Sequence, residues 1–153
     1  VEHTLALIKP DGVARKLVGK ILHIIEEHEV GPSEYFKIIR LQMMDMSIER
    51  AKWFYGRQHE GKPYFNELCE FMSSGPIVVV ILKANKAIDH WRYLMGPSSY
   101  TARMQFQIRT RFQRSSDRLM ENLVHGSDSR ESFSHEVLAL GFNPMDYPDD
   151  VDL

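Results

Sequence analysis

Ile77-Val78-Val79-Val80-Ile81-Leu82 is an unbroken aliphatic run, rich in β-branched residues, with nothing polar in it. It is too short for a buried helix, and valine and isoleucine favour extended chain. A segment apolar at every position belongs in the middle of a covered sheet. Just before it, Ser73-Ser74-Gly75-Pro76 is a break, and Pro63 marks the start of the helix that ends there. Just after it, Asn85 is the expected cap of a helix that runs to Met95 and stops at Gly96-Pro97. Farther out, Thr4 to Ile8 is another short apolar run, a buried strand closed by a turn at Pro10-Asp11-Gly12. Leu17, Val18, Ile21, Leu22 and Ile25 recur at helical spacing, which predicts an amphipathic helix over Val13–Val30, broken by Gly31-Pro32. Tyr35 to Met43 reads as a strand with Phe36, Ile38 and Met43 turned inward, and Ser47 caps a short helix reaching about Phe54. A short strand from Asn122 to His125 and a last helix from Ser129 to Gly141 close the pattern.

Strands and helices therefore alternate through one domain, residues 1–153, without repeat or linker. The economical architecture is an α/β fold of the α+β sandwich type: a ferredoxin-like βαββαβ chain forming a four-stranded antiparallel sheet covered by helices. The connection from Pro97 to about Met120 is too long to be a simple link, and such stretches are usually functional.

Composition narrows the class. The chain is 43% apolar and 26% charged, as in an ordinary soluble protein, and no apolar run approaches the ~20 residues of a membrane span. A lone cysteine, Cys69, rules out an internal disulfide framework and suits a reducing, cytoplasmic setting. Val1 rather than Met opens the chain, which leaves room for a removed targeting segment. The net charge of −2 argues against a general nucleic-acid binder. Five arginines nonetheless cluster between Arg103 and Arg118 against the single acid Asp117, while Asp146 to Asp152 is acidic. A local cationic segment in a slightly acidic protein fits a small polyanionic ligand.

His125 is the best-placed nucleophile. Its imidazole, with an ordinary pKa of about 6.5, is substantially unprotonated at neutral pH and accepts phosphoryl groups well. Gly126 follows it and permits close backbone approach, and Ser127-Asp128-Ser129 open a helix whose free N–H groups favour anions. His3, His28, His59 and His90 read as surface residues, and His23 and His135 lie on helices; no pair has a convincing metal spacing. Together Leu7-Ile8-Lys9-Pro10-Asp11-Gly12-Val13, Ser73-Ser74-Gly75-Pro76 and Asn122-Leu123-Val124-His125-Gly126-Ser127-Asp128-Ser129 resemble the nucleoside diphosphate kinase family over about Thr4–Phe142.

The resemblance implies a ping-pong phosphotransferase, in which a nucleoside triphosphate phosphorylates His125 and a nucleoside diphosphate then takes the group. It implies that Glu136, helped by Ser127, fixes the imidazole through the nitrogen away from phosphate. Lys9 would hold the terminal phosphate and a ribose hydroxyl, and Asn122 the sugar. Arg92, Arg109 (with Arg111 as its alternative), Tyr55 and Ser98 would meet the phosphates, while Tyr64 stacks on the base beside Leu68. Mg²⁺ would ride on the nucleotide phosphates, with no protein side chain as metal ligand. A dimer-based homo-oligomer, possibly a hexamer, and no membrane or sequence-specific nucleic-acid partner are also implied.

The chain departs from the family's usual pattern in places. Tyr100 stands at a usual proline, Phe106-Gln107 replace a Gly-Thr pair, and Ser98 replaces threonine. The segment before Tyr64 is one residue longer, as in divergent members, and Arg109 to Asn122 is three residues longer. The alternative reading is a non-catalytic family module within a larger assembly. A nucleic-acid binder on this fold would want a strip of stacking aromatics on the sheet, which is missing.

Overall fold

The computed structural model describes residues 1–150. In chain order it contains β1 (Glu2–Ile8), α1 (Pro10–Ala14), α2 (Val18–Glu27), β2 (Glu29–Gly31), β3 (Glu34–Tyr35), β4 (Lys37–Met44), α3 (Ile48–His59), α4 (Phe65–Met72), β5 (Ile77–Ala84), α5 (Ala87–Met95), α6 (Ile108–Phe112), β6 (Val124–Gly126) and α7 (Arg130–Ala139). The main sheet runs β4-β5-β1-β6 with every neighbour antiparallel, the expected ferredoxin-like arrangement, and β2 and β3 form a separate hairpin.

The aliphatic run in β5 is buried on both sides. Ile77, Val79 and Ile81, with Leu5 and Leu7 of β1, pack under α3, α4 and α7 against Phe54, Met72 and Phe133. Val78, Val80 and Leu82, with Ala6 and Ile8, pack on the opposite face against Ile21 and Ile25 of α2 and Trp91 and Leu94 of α5. At about 1.5–3 kcal/mol per fully buried aliphatic side chain, this two-sided packing outweighs the local propensities of the shorter elements.

Several elements differ from the sequence expectation, each for a local reason. The helix over Val13–Val30 is two helices, because Lys16 takes a left-handed φ of 60° and ends α1. Val30 lies in the small hairpin, whose turn passes through Ser33 at φ 58°. Asn85 does not cap α5. Lys86 occupies the cap position with no side-chain bond, and Glu2 from β1 accepts the Ile88 N–H at 3.0 Å instead. The helix capped by Ser47 continues to His59, well past Phe54. Met43 points outward at 57% exposure, because a register shift between Ile38 and Arg40 and the edge position of β4 leave Ile39, Leu41 and Met43 uncovered. The long connection contains a 3-10 turn at Tyr100–Ala102 and helix α6, so it is a folded segment. His3 is buried rather than superficial, between Phe133 and Tyr147. The acidic C-terminal stretch reaches described residues at Asp149 and Asp150, which pair with Arg130 and Lys83; Asp152 lies outside the described residues.

Candidate functional site

His125 sits in the middle of β6, the three-residue edge strand, opposite Leu7 of β1. Glu136, one side of α7 and nearly fully buried, bonds its Nε2. The Ser127 hydroxyl donates to the same carboxylate oxygen at 3.4 Å. With Nε2 engaged, Nδ1 is the ring nitrogen left for chemistry. The ring edge also meets Phe54 and Tyr55, with centroids at 5.0 and 5.9 Å.

The backbone that aims this imidazole is itself held under strain. Leu123 adopts φ 78°, a conformation that costs a bulky side chain about 1–3 kcal/mol. Two contacts from the Lys9-Pro10-Asp11-Gly12 segment hold it there. The Lys9 N–H donates to the Leu123 carbonyl at 2.9 Å, and Asp11 accepts the Leu123 N–H at 3.1 Å. Gly12 must be small, since a Cβ there would lie 2.8 Å from the Ile8 side chain and 3.1 Å from the Leu123 carbonyl. On the far side, the Trp91 indole donates to the His125 carbonyl at 3.1 Å. Gly126 makes room for that indole: a Cβ would meet the Trp91 ring at 2.8 Å.

In front of His125 opens a cleft of about 910 Å³. Lys9, Tyr55, Tyr64, Leu68, Arg92, Ser98, Arg109 and Asn122 all line it together with His125, while Glu136 and Ser127 stand behind the imidazole. Asn122 organises the cationic floor: its Oδ1 accepts from Lys9 Nζ at 2.7 Å and from Arg109 at 3.3 Å. Burial, then the nearby Arg109, holds the Lys9 ammonium well below the ordinary lysine range, with Asp11 opposing. An incoming anion would relieve that cost. Arg109 lines the cleft and Arg111 does not. The Arg109 guanidinium also donates to the carbonyls of Gly96, Asn122 and Val124, at 2.7, 3.2 and 2.7 Å. It therefore clamps the long connection to β6. Arg92 is half exposed and pairs with Asp128 at 3.2 Å. The Tyr55 hydroxyl is buried with no hydrogen-bond partner among the described residues, and burial raises its pKa.

Some features were not foreseen. The clustered arginines do not form one basic patch. Arg103 donates to the carbonyls of Pro97 and Ser98, Arg118 pairs with Glu67 and Glu121, and Arg111 lies over Phe112. Gln107 is buried and satisfied, donating to the Tyr93 carbonyl and accepting the Met104 N–H, while Phe106 packs on Tyr93. Tyr64 precedes α4 instead of lying two residues inside a helix begun by Pro63. His59, expected on the surface, and Arg118 both line the cleft. Ser129 caps α7 by accepting the Ser132 N–H, so one amide at that helix start is already occupied. Among the described residues no cluster of three or more His, Cys, Asp or Glu is arranged to hold a metal ion, and no helix is long and apolar enough to cross a membrane.

Residues 2–146 match the family model described as nucleoside diphosphate kinase. A nucleoside diphosphate kinase of Lawsonia intracellularis is 42% identical over 137 residues, covering 90% of this chain and 92% of that protein. Among solved structures, the Aquifex aeolicus nucleoside diphosphate kinase is similar at TM-score 0.78 and 33% identity, over 96% of this chain and 99% of that one. The Halobacterium salinarum enzyme in complex with CDP is similar at TM-score 0.80 and 29% identity, over 99% and 93%.

Proposed function

The chain belongs to the nucleoside diphosphate kinase family, and we propose that Nδ1 of His125 is the atom that carries the phosphoryl group. The reaction is transfer of the terminal phosphate of a nucleoside triphosphate to a nucleoside diphosphate. One observation supports the assignment above others: Glu136 engages Nε2 and leaves Nδ1 as the ring nitrogen without a bond from Glu136, on a side chain that lines the cleft. The Nδ1 lone pair attacks the terminal phosphorus, the bond to the bridging oxygen breaks, and its electron pair departs with the donor diphosphate. A terminal oxygen of the acceptor diphosphate then attacks the same phosphorus, returning the electron pair to Nδ1. Lys9, Arg92 and the unpartnered Tyr55 hydroxyl offset charge on the transferring oxygens, and Arg109 and Ser98 hold the remaining phosphates. Asn122 and Lys9 meet the sugar, and Tyr64 with Leu68 meets the base.

The polar wall of the phosphate end is mainly cationic, with Asp128 as its nearby carboxylate. That donor set suits Mg²⁺ brought in on phosphate oxygens and water, not an all-protein cage. When bound, the ion neutralises phosphate charge. The chain, residues 1–153, is read as one such domain, working in the cytoplasm. It assembles as a dimer at least, with a hexamer built from dimers. The outer side of β4 supports this, since the exposed Ile39, Leu41 and Met43 lie along an edge with no strand beyond it among the described residues.

Exposure to ATP and Mg²⁺ without acceptor should label the protein with about one phosphate per site. As a phosphoramidate, the label should survive alkali and be lost in acid. His125→Ala should abolish both label and turnover. Turnover without an acid-labile intermediate would replace this mechanism by direct transfer. Neither label nor turnover in the wild type would favour the interaction-module reading.

A further inference from the structure

The aromatic proposed to face the base ends the connection between α3 and α4. Tyr64 is not locked by a helix: it lies one residue before α4 and is 42% exposed. Phe65 takes the place in the core, so Tyr64 cannot be anchored by burial. Its hydroxyl instead meets His59 Nδ1 at 2.6 Å, and the two rings meet edge to face at 5.5 Å. His59 is well placed to act as an anchor, because it closes the last turn of α3 and its carbonyl accepts the Lys62 N–H at 3.0 Å. On its other side His59 leans on Tyr55, at 5.9 Å, which in turn touches His125. Four rings thus line the cleft in file, from Tyr64 at one end to His125 at the other.

We propose that His59 is a positioning residue that fixes Tyr64 as a base platform through the Tyr64 hydroxyl. The inference rests on the reading of the cleft as a nucleotide site, and it gives the hydroxyl of Tyr64 a purpose that stacking alone does not require. A nucleoside diphosphate, whose base stacks on Tyr64, feels the loss of this contact. An acceptor with no base does not.

The test is steady-state kinetics with two acceptors, CDP and ribose 5-diphosphate, on wild type, His59→Leu, His59→Asn, Tyr64→Phe and the double variant His59→Leu/Tyr64→Phe. A half-exposed hydrogen bond is small, so the KM for CDP should rise about threefold in His59→Leu, with kcat little affected. Tyr64→Phe should show the same rise, and the double variant no further one, since both remove a single contact. His59→Asn, whose amide can occupy the position of Nδ1, should recover the wild-type KM. The KM for ribose 5-diphosphate should not follow this pattern. An equal rise for both acceptors would overturn the proposal, because His59 would then act on sugar or phosphate. Independent, multiplying effects of the two substitutions would overturn it too. Acid-labile labelling of wild type by ATP serves as the separate control. Its absence defeats the carrier role of His125, whereas normal labelling with a flat CDP response defeats only the role of His59.

Discussion

At one end of the cleft His125 is held from several sides, by Glu136 (itself bonded by Ser127) on its ring and by Trp91 and the Leu123 turn on its backbone. At the other end Tyr64 is half exposed and leans on a single side-chain contact from His59. The difference follows what the proposed function asks of each end. A nucleophile has to be aimed to within a fraction of an ångström, which justifies strain and buried polar groups. A platform for flat rings has only to present a face, since stacking tolerates any base. Large effects of substitution should therefore gather at the phosphate end, and modest ones at the base end.

Glu136→Ala is the strongest test of that division after removal of the nucleophile itself. It leaves the imidazole in place but free to turn, and should slow phosphoenzyme formation on the order of a hundredfold, the lower end of what a positioned acid–base partner supplies. Rapid-quench labelling measures it, and a loss under threefold would mean the backbone alone aims the ring. Gly126→Ala should follow. Its methyl would press into the buried Trp91 ring, destabilising the fold by about 1–3 kcal/mol in urea titrations and slowing labelling as well. Tyr64→Ala belongs to the other end, and should weaken binding of every nucleoside diphosphate by about tenfold while purine and pyrimidine, ribose and deoxyribose acceptors all remain usable. Acceptance of a single base, with others slower by orders of magnitude, would break the comparison, because the base end would then be doing selective work.

The smallest effect lies outside the cleft. His3 is buried between Phe133 and Tyr147, and burial, then Lys83 and Arg130, holds its pKa below 6.5. The unfolded chain therefore binds a proton that the fold refuses. Stability from His3 is fully present above pH 6.5 and is lost as the pH falls through the folded value. Thermal melts between pH 7.5 and 5.5 should show the decline, and His3→Phe should flatten part of it. An unchanged slope would place the acid sensitivity elsewhere.

These contrasts explain what the sequence made legible. The two-sided strand Ile77–Leu82 and the closing signal at Gly96 were readable because each rests on neighbours in the chain. So was the gathering of Lys9, Asn122 and His125 along one cleft, since the segments that carry them each keep their own spacing. What was not readable depends on contacts distant in sequence. The cap of α5 comes from Glu2, far back in β1, so Asn85 looked sufficient when it was not. The outward turn of Met43 follows from a register shift against β5, which periodicity within β4 cannot reveal. Asp11 looked like a turn residue until its carboxylate was found on the Leu123 amide. His59 looked superficial because nothing local says that Tyr64 will fold back to meet it.

The bond from Trp91 to the carbonyl of His125 gives the molecule an optical reporter of its own chemistry. Trp91 is sealed from solvent, whereas Trp53, the other tryptophan, is half exposed. Acrylamide will dim Trp53 and spare Trp91, so the protected emission isolates one indole. That indole is bonded to the residue proposed to gain and lose phosphate. Stopped-flow fluorescence with quencher present can then follow each half of the cycle in real time, with no label attached.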